Sequence, residues 1–371
     1  MSNSHPTFAR VGSESFFKEV RTRVNRHFKN NQIDKHATSN MVLKTLCMFG
    51  VFFATYATIV SGVVTHPVAF VLLWPLMGIG MAGIGLCVMH DANHGAYSSR
   101  SWVNKLLGYS MNILGSSAEM WRIQHNQLHH TYTNIHGADE DLNGPPVLRL
   151  TPQARHRAVH RGQHIYAWFL YGMATMARVT VREFVQLHAY RKLGIVKGGL
   201  EFWGMLLRLV LWKSFHYSFI LVVPLLVVDQ PGSLIVLAFV LMHFTTGLIL
   251  SLIFQTAHIM PACVFPMANA KGEIEQSWAL HEMQTTTNYA TNNRLLTWLV
   301  GGLNFQVEHH LFPNICHVHY PAIASIVEAT AKEYNVPYHA QPTFGAAIRE
   351  HGKMLYWLGR PNTATSYPST N

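Results

Sequence analysis

Four long, nearly uncharged stretches set the terms for this chain. They cover residues 41–64, 67–89, 206–228 and 232–257. Each reaches the roughly 20 apolar residues that a helix needs to cross the hydrocarbon of a bilayer. Only 12% of the 371 residues are charged and 49% are hydrophobic, where soluble domains carry about 25% charge. One buried core helix can be this apolar; four in one chain point to a membrane. Backbone groups in lipid must bond internally, so the stretches are read as helices. Lys44 sits at the edge of the first. Arg208 and Lys213 occupy the opening turns of the third, whose membrane part is expected to begin near Ser214.

Orientation follows from the connections. The first two stretches are joined by little more than Thr65-His66, and the last two by Asp229-Gln-Pro231, with no lysine or arginine in either. Seven such residues precede Met41, and twelve lie between Asp91 and Leu200. The positive-inside rule places both termini and the long middle span in the cytoplasm. The formal net charge of +10 then reflects orientation and anionic lipid; no base-reading motif suggests nucleic acid. Trp102–Met120 and Ile165–Leu187 read as interfacial helices anchored by Trp102, Trp121 and Trp168. Leu295–Leu303 is apolar but too short to span. The first 40 residues are too polar for a secretory signal, and four scattered cysteines form no disulfide framework or zinc ribbon. The tail after Gly359 is polar and is expected to fray.

Three histidine clusters lie beyond the cytoplasmic ends of these stretches: His90-Asp-Ala-Asn-His94, His125-Asn-Gln-Leu-His129-His130 and Gln306-Val-Glu-His309-His310. Residues four apart share a helix face, so His90 pairs with His94 and His125 with His129. Neutral imidazole is a common ligand for iron, copper, zinc and nickel. Seven histidines in three groups are enough for two metal ions. Isolated histidines such as His5, His27, His66 and His188 read as ordinary surface or core residues. A transporter would place polar ligands near the midplane. Here they cap the spans, within reach of a water-soluble donor and of a lipid chain seated in an apolar tunnel.

The strings HDANHGAYS (90–98), HNQLHHTYTN (125–134) and FQVEHHLFP (305–313) resemble the three boxes of the membrane-bound fatty acid desaturases, and the resemblance covers nearly the whole chain. Gln306 in the third box resembles the front-end type, which inserts a double bond between an existing one and the carboxyl end. The resemblance implies an all-α integral membrane protein, with four transmembrane helices and a cytoplasmic helical cap holding a dimetal site. Its domain would be residues 41–360, between a cytoplasmic segment 1–40 and a flexible tail 361–371. It implies two iron ions, O2 as co-substrate, a fatty acyl-CoA or acyl-lipid substrate and electrons from an external donor. It also implies a further histidine ligand after the fourth span, where His258 stands. The metal set is then His90, His94, His125, His129, His130, His258, His309 and His310, with no catalytic side chain beyond these ligands.

Two departures from the family pattern stand out. The H-P-G-G string of a fused cytochrome b5 domain is missing, and 40 residues are too few to hold one. The donor is therefore expected to be a separate cytochrome b5-like protein or ferredoxin with its NAD(P)H reductase. The family's asparagine one turn before the fourth-span histidine is replaced by Phe254, next to Gln255. Gln255, Gln306, Asp91, Glu308 and His317 are candidates for binding the metals or for contacting their ligands, and His319 and the Asp139-Glu140-Asp141 run for contacting the ligands. Arg149, Arg155, Arg157 and Arg161 form a basic strip that suits a lipid or coenzyme A phosphate. Gln284, Thr287 and Asn288 are placed at a tunnel mouth. His216 and His243, inside spans three and four, suggest a haem pair that nothing else supports. A membrane hydroxylase or ketolase with the same boxes is the second reading; a metal transporter or haem carrier is the third.

Overall fold

The computed structural model describes residues 6–9 and 14–361. Nearly all regular structure is helical, with two short parallel strand pairs (Thr7–Phe8 with Glu273–Ile274, and Thr287–Tyr289 with His339–Gln341). Among the described residues four helices are long and apolar enough to cross a membrane: Ser39–Val60, Pro67–Asn93, Leu200–Val227 and Gly232–His258. They match the four apolar stretches. The third starts six residues before the expected Leu206 and runs on through Ser214 unbroken. The tail beyond Pro361 lies outside the described residues.

The chain divides into two compact units. One comprises Thr38–Arg122 and Trp168–Ser251. Its second span is 67% buried and its third only 22%, so the second is the core element. Pro67 opens that span at a position where its missing N–H costs nothing, and Pro75 lies inside it. Small residues let neighbours close in. A Cβ on Gly78 would meet Met242 O at 2.6 Å, and one on Gly80 would meet Phe52 N at 2.7 Å. Thr246 Oγ1 donates to Gly78 O at 2.9 Å. The charges of the third span are matched within the unit: Lys213 Nζ lies 2.8 Å from Glu183 Oε2, and Arg208 pairs with Glu119 at 3.0 Å. His216 and His243 meet directly, Nε2 to Nε2 at 3.3 Å, so the rings hydrogen-bond to each other and leave no gap for a haem between them.

Both segments expected to be interfacial are helical, but broken into shorter pieces. Ser101–Gly108, Ser110–Ile113 and Ala118–Trp121 replace the first, and Gln163–Gly172, Ala174–Ala177 and Glu183–Lys192 the second. Trp102, Leu106 and Tyr109 are exposed at helical spacing, as are Ile165 and Phe169, which suits a membrane surface.

The other unit contains the described residues up to Ala37, Ile123–Ala167 and everything from Leu252 onward. Helix Glu14–Asn30 places Phe16, Val20 and Val24 one turn apart. They enter a core with Met283, Phe305, Leu311, Ile323 and Val327. Arg23 ties the helix down, pairing with Glu19 and Glu333 at 2.7 Å each. The third histidine box is thereby packed from behind by the N-terminal helix.

Candidate metal centre

The backbone around the first two boxes is wound as π-helix, over Ile84–Met89 and Arg122–His129. Such turns bond i to i+5 and gather at functional sites. The consequence differs from the α-helical expectation. His125 and His129 remain neighbours, with ring centroids 5.3 Å apart. The wider turn also brings His130 onto His125, with Nε2 atoms 3.2 Å apart. His309, from the helix Gln306–Leu311, approaches the same atom of His130 at 2.9 Å. Three imidazole nitrogens thus converge. A neutral ring has one N–H, and hydrogen bonding cannot satisfy all three; a cation can. With metal–nitrogen bonds of about 2.1 Å, neighbouring ligands at right angles sit roughly 3 Å apart.

A second group holds His129, His258 and His310, whose candidate ligand atoms lie within 4.8 Å of one another. Each Nδ1 is held by an acceptor. His129 Nδ1 lies 3.1 Å from Asp139 Oδ1 and 3.5 Å from Asp141 Oδ2. His258 Nδ1 donates to Thr285 O at 3.2 Å, and His310 Nδ1 to Glu282 Oε2 at 2.7 Å. These acceptors fix the proton on Nδ1 and leave the Nε2 lone pair for a metal, the usual arrangement of ligating histidine. Nε2 of His258 is buried and faces the Gln306 side chain rather than solvent. The donor set therefore fits metal ions held by neutral imidazoles. Burial works against charging His129, but Asp139 and Asp141 outweigh it and raise its pKa to about 9, so a metal bound at its Nε2 displaces a proton from that atom. Burial pushes the Glu282 carboxyl well above the usual range.

In the other unit, His90 and His94 stand together, ring centroids 4.7 Å apart, and both lie edge-on to Trp121. Asp91 Oδ1 is 3.6 Å from His90 Nδ1. Phe254 presents its ring to His125 at 6.1 Å, so an apolar side chain stands beside this histidine. Gln255 Oε1 is buried with no hydrogen-bond partner among the described residues. Gln306 anchors its amide nitrogen on Leu303 O at 2.8 Å, and its buried side chain lies within reach of His258.

Other expected contacts turn out differently. Glu308 holds no ligand histidine. It accepts from Asn288 Nδ2 at 2.8 Å and Tyr338 Oη at 2.9 Å, and burial raises its pKa to about 7. Asn288 is accordingly no tunnel-mouth residue, and Thr287 is fully buried beside Cys263. Gln284 is partly buried, and its backbone carbonyl accepts from Val264 N at 3.0 Å. Arg149 is only 3% exposed. Its guanidinium donates to the carbonyls of Ala154, Leu358 and Arg360, so it clamps the C-terminal helix and does not face a headgroup. Arg155, Arg157 and Arg161 are exposed. His317 is buried against Gly302, and His319 Nε2 donates to His36 O at 3.0 Å. Of the acidic run, Asp139 and Asp141 reach His129, and Asp141 also accepts from Gln124 at 2.5 Å. Glu282, Thr285 and Tyr320, whose hydroxyl lies 3.3 Å from His309 Nδ1, went unmarked in the sequence.

Comparison with known proteins agrees with this site. The family described as Fatty acid desaturase matches residues 65–342. The chain is similar to an sn-1 linoleoyl-lipid 6-desaturase of Synechocystis, with 34% identity over 93% of this chain and 96% of that protein. It is similar to an acyl-lipid (8-3)-desaturase of Physcomitrium patens, with 35% identity over 95% of this chain and 73% of the relative. An acyl-lipid (8-3)-desaturase of Mortierella alpina is 31% identical over 97% of this chain and 80% of its own length. A match across most of the sequence, on a helical membrane protein with clustered histidines, makes this chain a member of the fatty acid desaturase family.

Proposed function

We propose that the protein desaturates acyl lipids of the front-end kind, with two iron ions held by His90, His94, His125, His129, His130, His258, His309 and His310. The desaturase domain is assigned to residues 41–360, with both termini and the histidine boxes on the cytoplasmic side. The observation that carries this reading is the convergence of His125, His129, His130, His258, His309 and His310, with the Nδ1 atoms of His129, His258 and His310 already held by Asp139, Thr285 and Glu282. Iron bound there would supply the oxidising power, drawn from O2, that an unactivated C–H bond demands. Each turnover removes two vicinal hydrogens from the chain and reduces O2 to two waters, with two electrons and two protons from outside. The protein's own residues position: they hold the rings in one tautomer and present an apolar edge, Phe254, beside His125.

The relatives' names support a lipid-borne chain and a bond placed toward its carboxyl end. Gln306 fits that reading, because an amide oxygen is a weaker donor than imidazole and leaves one metal more open. Electrons are assigned to a separate protein donor and its reductase. The test is expression with a compatible donor, feeding of linoleate and of stearate, and mapping of new double bonds by mass spectrometry. A new bond on the carboxyl side of the first existing one supports the reading. Stearate converted to a mid-chain monoene, with linoleate untouched, would overturn the front-end part.

A further inference from the structure

One short helix, Trp278–Thr285, touches three of the clustered histidines. Ser277 caps it, accepting from Leu280 N. Its residues 278, 282 and 285 are spaced four and three apart and so share a face. Trp278 Nε1 donates to His130 O at 2.9 Å. Glu282 Oε2 accepts from His310 Nδ1 at 2.7 Å. Thr285 O accepts from His258 Nδ1 at 3.2 Å. On the other side Ala279 and Met283 pack into the core with Phe305 and Leu311, so the helix is held rigidly.

Glu282 is the residue whose presence needs explaining. It is 0% exposed. Among the described residues its ion-pair partner is His310, not a lysine or arginine. The Thr133 hydroxyl lies 3.0 Å from the same Oε2, while Oε1 is buried with no hydrogen-bond partner among the described residues. A buried carboxylate without a balancing charge is costly. A cation bound to His310 Nε2 would provide that balance through the ring.

We propose that Glu282 is a positioning residue, which fixes His310 with Nε2 toward the cluster and is itself balanced by the charge of a bound metal. This rests on the metal reading above. The step is one of orientation and charge only; Glu282 touches neither metal nor substrate.

The experiment uses the full chain in detergent, stripped with a chelator and titrated with Co2+, whose visible bands report ligand geometry. Wild type, Glu282→Leu and Glu282→Gln are compared by stoichiometry, affinity, spectrum and metal-free melting temperature. Wild type is expected to take two equivalents. Glu282→Leu is expected to weaken one of them by roughly 10- to 100-fold and shift its bands. Its metal-free form should melt lower than wild type, because the His310 Nδ1 proton and the Thr133 hydroxyl lose their acceptor. A purely structural role would lower that melting temperature while leaving the affinity and bands of bound cobalt alone. Two equivalents bound by Glu282→Leu with wild-type affinity and spectrum would overturn the proposal. If that variant fails to fold, Glu282→Gln decides, since it keeps an acceptor but loses the charge: unchanged affinity overturns the proposal, weakened affinity supports it. Failure of wild type to bind metal would overturn the metal reading itself, and this proposal with it.

Discussion

His216 and His243 form a mutually dependent pair inside the apolar spans, Nε2 to Nε2 at 3.3 Å. His216 Nδ1 gives its proton to Ile113 O at 3.1 Å, so its Nε2 accepts and His243 Nε2 donates. Both rings are buried. His216→Phe should therefore strand a buried N–H and cost about 1–3 kcal/mol. Adding His243→Phe should recover part of that loss. A double-mutant cycle of thermal unfolding in detergent measures it; additive losses would show that the pair is not coupled.

Removal of a single ligand should be more severe than removal of any outer contact. His258→Ala and His310→Ala are expected to lose bound iron and turnover by more than the ~10- to 100-fold typical of an outer partner, with membrane insertion intact. Elemental analysis and acyl-product assays check both. Several ligand variants with full metal content would refute the assignment.

Acid should destabilise the protein through His351. Its ring is fully buried, with Nδ1 on Ile259 O at 2.9 Å, and burial lowers its pKa to about 4. Above pH ~6.5 the ring is neutral whether folded or not. Below that the unfolded chain takes a proton that the folded one refuses. Stability is lost as pH falls from about 6.5 to about 4, then levels off, by an amount on the order of 3 kcal/mol from this group. His351→Gln keeps a donor without the titration, and its stability should fall less across that window. Identical slopes for the two proteins would contradict the assignment.

Arg149 should behave as a structural residue. Arg149→Ala removes donors from buried carbonyls, including Leu358 O at 2.9 Å, and is expected to cost about 1–3 kcal/mol. Its apparent KM for the acyl lipid should stay within about twofold of wild type, since the guanidinium faces inward. Neutralising Arg155, Arg157 and Arg161 together should spare stability, because surface charges contribute little. Melting temperatures and KM values for both variants test this.

The sequence carried the spans and boxes well, because uninterrupted apolar length and paired histidines are local signals. It carried their supports poorly. Trp278, Glu282 and Thr285 sit on an eight-residue helix, far from any box, and their spacing means something only once the histidines are in place. Arg149 looked like Arg155, Arg157 and Arg161, because a row of arginines does not reveal which one the fold buries. Glu308, beside two ligand candidates, seemed a natural orienting group, yet its carboxylate points to Asn288 and Tyr338. The π winding has no compositional signature, so the approach of His130 to His125 was invisible.

That winding makes the second box a matter of phase. A π turn is an α-helix carrying one surplus residue, and Arg122–His129 uses the surplus to bring His125 edge-on to His130. Deleting one residue there would let the segment relax into ordinary helix and rotate every later side chain by about a hundred degrees. All the histidines would still be present in the sequence, yet they would no longer meet. The chemistry is thus encoded partly in residue count, so an alignment that closes this one-residue gap can retain the motif and misplace the centre.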